Sequence, residues 1–336
     1  MERAQLQPFE ACPVCGSQSA AVLVSEQDLT AESRYRDQVF KNSLPPSTPD
    51  YMLTDLTVFT NAYPARLVVC QKCGLVARDP RFAPQASIAT YAQDDYASEW
   101  LAPSFEEYRA AFRTRMPELT ARVGRSATVL EVGSYVGGFL AAAGEFGWRA
   151  KGVDVGRRVS NFARGKGLDV FMGQLADAHF QDESFDAVFV WACFDQLPDP
   201  RAELKEIRRV LKSRGWLFIQ VPNGDCVKML EPLARWPMLR EQVWRILAYT
   251  GLGGFPYQFG YTPRTLSRLA RACGFEPIVI RNRVNICESG AAPAARAIPE
   301  QMRVVNRVQF VCDLIYHVSL RTLVKGPWME VVCRKQ

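Results

Sequence analysis

Thr128-Val129-Leu130-Glu131-Val132-Gly133-Ser134-Tyr135-Val136-Gly137-Gly138, followed as far as Asp154, decides the fold. Val129 to Val132 is an apolar strand that breaks at Gly133 into a turn of small residues. A helix-like segment follows, and a second strand stops at Asp154. Small residues after a strand let backbone approach a ligand, and the next helix offers free N–H groups. An acid about 20 residues on accepts hydrogen bonds from ribose hydroxyls. This is a grip on a nucleoside cofactor. A pyrophosphate does not suit the turn, because Glu131 stands ahead of it and Tyr135 puts bulk at its centre.

Further along, Phe185-Asp186-Ala187-Val188-Phe189-Val190-Trp191 reads as a strand and Leu197-Pro198-Asp199-Pro200 as the start of a helix. Glu206-Ile207-Arg208-Arg209-Val210-Leu211-Lys212 runs into Gly215-Trp216-Leu217-Phe218-Ile219. Tyr261-Thr262-Pro263-Arg264-Thr265-Leu266 leads to Ala272-Cys273-Gly274-Phe275-Glu276. Strands alternating with helices imply an α/β domain with a parallel sheet covered on both faces.

In that order, the acid-first loop and the four motifs after it resemble the class I S-adenosylmethionine (SAM) methyltransferases across most of residues 127 to 284. Met329-Glu330-Val331-Val332-Cys333 would supply a seventh strand. The resemblance implies a Rossmann-like seven-stranded sheet with its last strand antiparallel, and it assigns roles by position. Glu131 resembles the acid that holds the methionine end of SAM. Gly133, Ser134 and Gly137 match loop positions beside the cofactor, with Tyr135 where glycine is usual, either bending the loop differently or walling the site. Asp154 matches the ribose-binding acid, and Gln174 follows the third strand, where adenine contacts lie. Trp191 would offer a π-face near the sulfonium or pack in the core. Tyr91 and Tyr96 resemble residues that close over SAM, and Tyr257 and Tyr261 resemble tyrosines that flank the acceptor.

Methyl transfer to a hydroxyl needs a proton acceptor. Relatives carry Glu-His after the fourth strand, whereas this chain has Asp195-Gln196, so Asp195 is the candidate base, with helix capping as its alternative role. Of the two histidines, His179 is expected to face solvent and His317 to be structural. No NPPY-type motif follows the fourth strand, which disfavours methylation of base amino groups and leaves oxygen or carbon acceptors.

Two cysteine pairs stand apart from this domain: Cys12-Pro13-Val14-Cys15-Gly16 and Cys70-Gln71-Lys72-Cys73-Gly74. Two residues between thiolates let both sulfurs reach one ion, and the glycine frees backbone to turn toward them. A closed, structural zinc site on Cys12, Cys15, Cys70 and Cys73 follows, without an open position for chemistry. The ten cysteines of the chain, with no secretory signal ahead of them, read as thiols or metal ligands before disulfides.

At 336 residues, 48% apolar and 23% charged, the chain is globular and long enough for two domains. We expect a zinc-binding module over 1–95, a connecting helical segment over 96–126 and the methyltransferase domain over 127–336. The helix at 104–123 should bury Phe105, Tyr108, Phe112 and Met116, and residues 41–50 should form a loop. Residues 223–260 carry bulky apolar side chains and form either a substrate cap or a packing surface. Residues 290–326 are a basic amphipathic insertion expected to pack on the protein rather than on a membrane. The net charge of +6 is modest and no apolar run is long enough to span a bilayer, so a cytoplasmic protein is expected.

A zinc module ahead of a SAM domain resembles two families, bacterial small-molecule methyltransferases (sugar C-methyltransferases among them) and ribosomal RNA guanine methyltransferases. Gly74-Leu75-Val76-Ala77-Arg78-Asp79-Pro80 and Tyr91-Ala92-Gln93-Asp94-Asp95-Tyr96 favour the first, and no basic strip interleaved with aromatics suggests nucleic acid. The expectation is SAM-dependent methyl transfer to a small-molecule acceptor, with a homodimer left open. The alternatives are an RNA methyltransferase and a non-catalytic SAM-binding scaffold.

Overall fold

The computed structural model describes residues 6–43, 63–93, 98–253, 257–283, 299–320 and 322–336. In chain order its N-terminal part comprises β1 (Leu6–Gln7), β2 (Ala20–Val24), α1 (Glu26–Ser43), β3 (Arg66–Cys70), β4 (Val76–Asp79), β5 (Arg81–Phe82) and α2 (Pro84–Gln93). There follow α3 (Ser98–Val123), β6 (Thr128–Val132), α4 (Gly138–Glu145), β7 (Arg149–Asp154), α5 (Arg157–Gly165), β8 (Asp169–Met172), β9 (Phe185–Trp191), α6 (Pro200–Val210) and β10 (Leu211–Pro222). The last third holds α7 (Gly224–Ala234), α8 (Pro237–Tyr249), β11 (Phe259–Gly260), α9 (Pro263–Ala272), β12 (Phe275–Arg283), α10 (Pro299–Val318) and β13 (Trp328–Lys335).

Seven strands form one sheet in the order β12-β13-β10-β9-β6-β7-β8. The five central and outer strands β10, β9, β6, β7 and β8 run parallel, and β13 is antiparallel to both of its neighbours. This is the Rossmann-like sheet expected from the sequence. The period-two alternation of strands sorts side chains onto two faces. Val129, Phe189 and Phe218 face α3 and α4, where Phe112, Met116, Leu119 and Phe139 close the core. Leu130, Val132, Val188 and Ile219 face α6 and α9, where Leu204, Ile207, Leu266 and Leu269 cover them.

α3 begins at Ser98 rather than at residue 104. Its extra turns are held because Leu101 and Phe105 pack against Val136 and Val159 around the first loop, a long-range contact that no local pattern carries. Residues 41–43 complete α1 instead of opening a loop, and 44–50 lie outside the described residues.

The N-terminal module is not separate from the rest. Its antiparallel sheet has the order β11-β4-β3-β2, and its edge strand β11 comes from beyond residue 223, pairing Phe259 with Ala77 and Gly260 with Val76. The bulky residues of α7, α8 and the turn between them divide: Val227, Val243 and Leu247 pack on Val24, Leu29 and Leu67 of the module, while Trp236, Met238 and Leu239 face solvent.

Candidate functional site

Beyond β6 the chain must fold back sharply to start α4, and it does so with positive φ at Gly133 (74°), Tyr135 (46°) and Gly137 (81°). A Cβ on Gly133 would lie 2.7 Å from Cys193 Sγ, and one on Gly137 2.4 Å from Leu168 Cδ1, so neither position has room for a side chain. Tyr135 is a non-glycine residue in the left-handed region. Its N–H donates to Asp154 Oδ2 at 2.8 Å, and its ring leans on Tyr108 of α3 with centroids 5.6 Å apart.

Asp154, at the end of β7, also accepts from Gly156 N at 2.8 Å. Two backbone donors therefore fix the carboxylate at the mouth of the turn, and a carboxylate has lone pairs enough to accept hydroxyls as well. Glu131, one strand over, is buried, and its Oε2 has no hydrogen-bond partner. Burial holds its pKa well above the usual carboxylate range, and the neighbouring charge of Asp154 pushes in the same direction. Among the described residues the group has no cationic or donor partner, which is what the ammonium of an amino-acid moiety supplies. Ser134 Oγ is likewise buried and partnerless, and it lies over β7 where a Cβ on Gly152 would come within 2.6 Å. Gln174 is exposed after β8 and caps the short 3-10 turn Leu175–Ala178.

Trp191 takes the core role. It stacks on Phe189 with centroids 5.3 Å apart, touches Phe112, Phe139 and Phe218, and has the Arg115 guanidinium 4.6 Å from its ring centroid. Its face is occupied by protein, which leaves the sulfonium contact suggested by the sequence without support.

The chain leaving β9 turns through Cys193 into a single 3-10 turn, Phe194–Gln196. Cys193 Sγ donates to Val132 O at 3.2 Å, so it ties this turn to the first loop. Asp195 is fully buried, and neither carboxylate oxygen is hydrogen-bonded to another of the described residues. Burial raises its pKa to about 8, a shift only partly opposed by its own backbone N–H. Tyr261 is also fully buried, its hydroxyl partnerless and its ring 5.4 Å from Phe194 and 6.1 Å from Phe259. Burial, and then the charge of Asp195, raise its pKa well above the usual phenol value. Gln196 donates to Ala192 O at 2.9 Å and accepts a hydrogen bond from Tyr91 of α2, which fastens the turn to the N-terminal module.

Of the other expected residues, Tyr257 packs among the module's apolar side chains beside Arg78. Tyr96 lies outside the described residues. His179 and His317 are both exposed, and His317 rests against Tyr316 at 5.7 Å between ring centroids.

The four cysteines come together. Their sulfurs all lie within 4.8 Å of one another, with Cys12–Cys73 at 3.5 Å and Cys15–Cys70 at 3.6 Å. A tetrahedron with metal–sulfur bonds of about 2.3 Å has edges of about 3.8 Å, so the cluster has the dimensions of a four-thiolate metal site. Burial pushes the thiols of Cys12 and Cys73 up, Cys73 to about 11. At Cys70 the N–H groups of Cys73 and Lys72 outweigh burial and bring the thiol down to about 7.

Both knuckles are braced from the larger domain, by residues that sequence reasoning missed. Arg201 of α6 donates to Pro13 O at 2.6 Å and Val14 O at 2.9 Å, and Lys228 of α7 to Gly74 O at 3.3 Å. No local signal marks either cation, since the contact from Arg201 spans 188 positions and that from Lys228 spans 154.

The chain matches the family model described as "Methyltransferase domain" over residues 105–279, a little over half its length. A protein of Methanocaldococcus jannaschii, itself uncharacterized, is 26% identical over 132 residues, which make up 39% of this chain and 62% of that relative's length. Among solved structures, a SAM-dependent methyltransferase from Archaeoglobus fulgidus aligns at 18% identity with a TM-score of 0.42, covering 68% of this chain and 94% of the other. The geranyl diphosphate C-methyltransferase of Streptomyces coelicolor aligns at 14% identity and a TM-score of 0.44, covering 66% and 79%.

Proposed function

Because this chain belongs to the methyltransferase-domain family, we propose that it is a SAM-dependent methyltransferase of the class I fold that methylates an oxygen or carbon of a small-molecule acceptor. In this reading SAM lies over the loop between β6 and α4, and Asp195 is the general base. The observation that carries the reading is that Asp195 and Tyr261, two fully buried polar groups close enough for the charge of one to act on the other, are hydrogen-bonded to no other described residue, beyond the end of a strand where open α/β sheets bind ligands.

SAM, when bound, supplies a methyl carbon made electrophilic by its sulfonium. Glu131 would face the ammonium of its methionine end, and Asp154, oriented by the N–H groups of Tyr135 and Gly156, would accept the ribose hydroxyls. Asp195 would take the acceptor's proton as the new bond to the methyl carbon forms and the carbon–sulfur bond breaks, its electron pair passing to sulfur. Tyr261 would hold the acceptor by a hydrogen bond. A base with a pKa near 8 is matched to deprotonating a weak acid near neutral pH. Tyr91 acts through Gln196 to fix the turn that carries the base.

The cysteine cluster fits one structural zinc ion, closed to chemistry, that holds the two knuckles against Arg201 and Lys228.

The decisive experiment is calorimetry with S-adenosylhomocysteine (SAH), paired with metal analysis. Asp154→Ala should weaken SAH binding about tenfold or more, as expected for loss of hydrogen bonds to a charged group, and leave one zinc per chain. Wild-type protein that binds no SAH would sink the reading. So would a protein that binds SAH but releases none from SAM across phenols, hydroxy acids and sugar nucleotides.

A further inference from the structure

α10 has two apolar sides where a helix on a protein surface has one. Its inner side is anchored: Val305 and Cys312 are buried, Asn282 of β12 donates to Cys312 O at 3.1 Å, and Tyr316 donates to Ile280 O at 3.3 Å. On the opposite side Phe310, Val311, Leu314 and Val318 are 69%, 51%, 52% and 76% exposed. At 3.6 residues per turn these four share an arc of roughly 100° with Arg307 and Arg303, about one and two turns toward the N-terminus. Both arginines are exposed, and neither makes an ion pair or hydrogen bond among the described residues. The turn after the helix continues the apolar surface with Leu320 and Leu323.

From this we infer that the outer face of α10 docks on an anionic lipid surface. The apolar stripe would enter the boundary between head groups and acyl chains while Arg303 and Arg307 meet lipid phosphates. Charge selects this occupant over a second copy of the chain. The acid on this arc is Glu300, three residues ahead of Arg303, where two arginines outweigh it, while the apolar end carries no charge; the nearby Asp313 is half-buried and held by Gln309 at 2.7 Å. Two copies paired antiparallel through the stripe would therefore set these charges against the bare hydrocarbon of Val318 and Leu320. No helix among the described residues is long and apolar enough to cross a membrane, so α10 would lie in the interface rather than span it.

Cosedimentation of the full chain with vesicles tests this, using phosphatidylcholine alone or mixed with phosphatidylglycerol. Wild-type protein should bind the mixed vesicles about tenfold or more tightly than the neutral ones, and lose that preference in high salt. The outward-facing double variant Phe310→Ser with Leu314→Ser should bind neither, and Arg303→Gln with Arg307→Gln should erase only the preference for negative charge. Unchanged SAH affinity in both variants establishes that the domain is intact, and vesicle binding is read independently of any methyl transfer. Failure of wild-type protein to sediment with the mixed vesicles overturns the inference, as does undiminished binding by the serine variant. A vesicle-free dimer that the serine variant dissociates would assign the face to a second copy instead.

Discussion

Glu330 and Asp195 are both carboxyl groups with no exposure to solvent, and their surroundings are opposite. Glu330, on β13, accepts from Arg115 and from Arg281, whose Nε lies at 2.8 Å, and has Arg283 Nε at 3.6 Å. Arg281 and Arg283 also engage Glu118. Burial alone would raise its pKa, but Arg115, Arg283 and Arg281 outweigh it and hold the group at about 2. Asp195, just past the end of β9, has among the described residues no cation beside it and no donor but its own backbone N–H, and its pKa goes to about 8. A buried charge that serves the fold is surrounded by its partners. A buried acid left unmatched is costly, and such groups collect where a ligand or proton is to be received.

This contrast can be broken by experiment. The largest effect is expected from Asp195→Asn, which should lower kcat by about 10²- to 10⁴-fold, the usual contribution of a general base, with SAH affinity unchanged and no loss of stability at pH 8. If turnover survives, Asp195 is not the unmatched functional acid described here. In wild-type protein turnover should rise with pH and level off above about 8, as Asp195 ionises.

Next comes Glu330→Gln, which removes the buried carboxylate that Arg115, Arg281 and Arg283 share and should cost about 3–5 kcal/mol in denaturant unfolding, while the folded fraction keeps its turnover. The pH dependence of stability should separate the two acids by sign. Glu330 has a folded pKa below its unfolded value of 4.5, so its contribution is present above pH 4.5 and is lost as pH falls toward 2. Asp195 has a folded pKa above its unfolded value of 3.8, so its contribution is present below that value and is lost as pH rises toward about 8. Melting temperatures measured across pH 4 to 8 should flatten in Asp195→Asn and not in Glu330→Gln.

The smallest effect belongs to Tyr261→Phe. Deleting a buried hydroxyl without a partner should stabilise the protein by about 1 kcal/mol, and in the proposed mechanism it weakens acceptor binding, read as a higher KM. A destabilised phenylalanine variant would mean that the hydroxyl has a partner after all.

The loop proposed to hold the cofactor was legible as a loop because its signals are local. Glu131, Gly133 and Gly137 sit at fixed spacing on one strand and turn, Asp154 ends the next strand, and the two CxxCG pairs repeat within a few residues. Other features resisted reading for the converse reason. Trp191 looks the same in sequence whether it faces a ligand or a core, and only the aromatic side chains and Arg115 around it decide. The true start of α3 depends on Val136 and Val159, and the exposed side of α10 on where β12 places the helix.

By itself the sequence determined the alternation of strand and helix, the loop that turns back after β6, and the pairing of cysteines into two knuckles. Each follows from short-range periodicity and backbone freedom, which neighbouring residues settle among themselves. Tertiary structure alone decided that β11 completes the module's sheet, that Arg201 and Lys228 brace the knuckles, and that one buried carboxyl is ringed by arginines while another is left bare. Burial and charge matching depend on which distant segments meet, and that is set only when the whole chain packs.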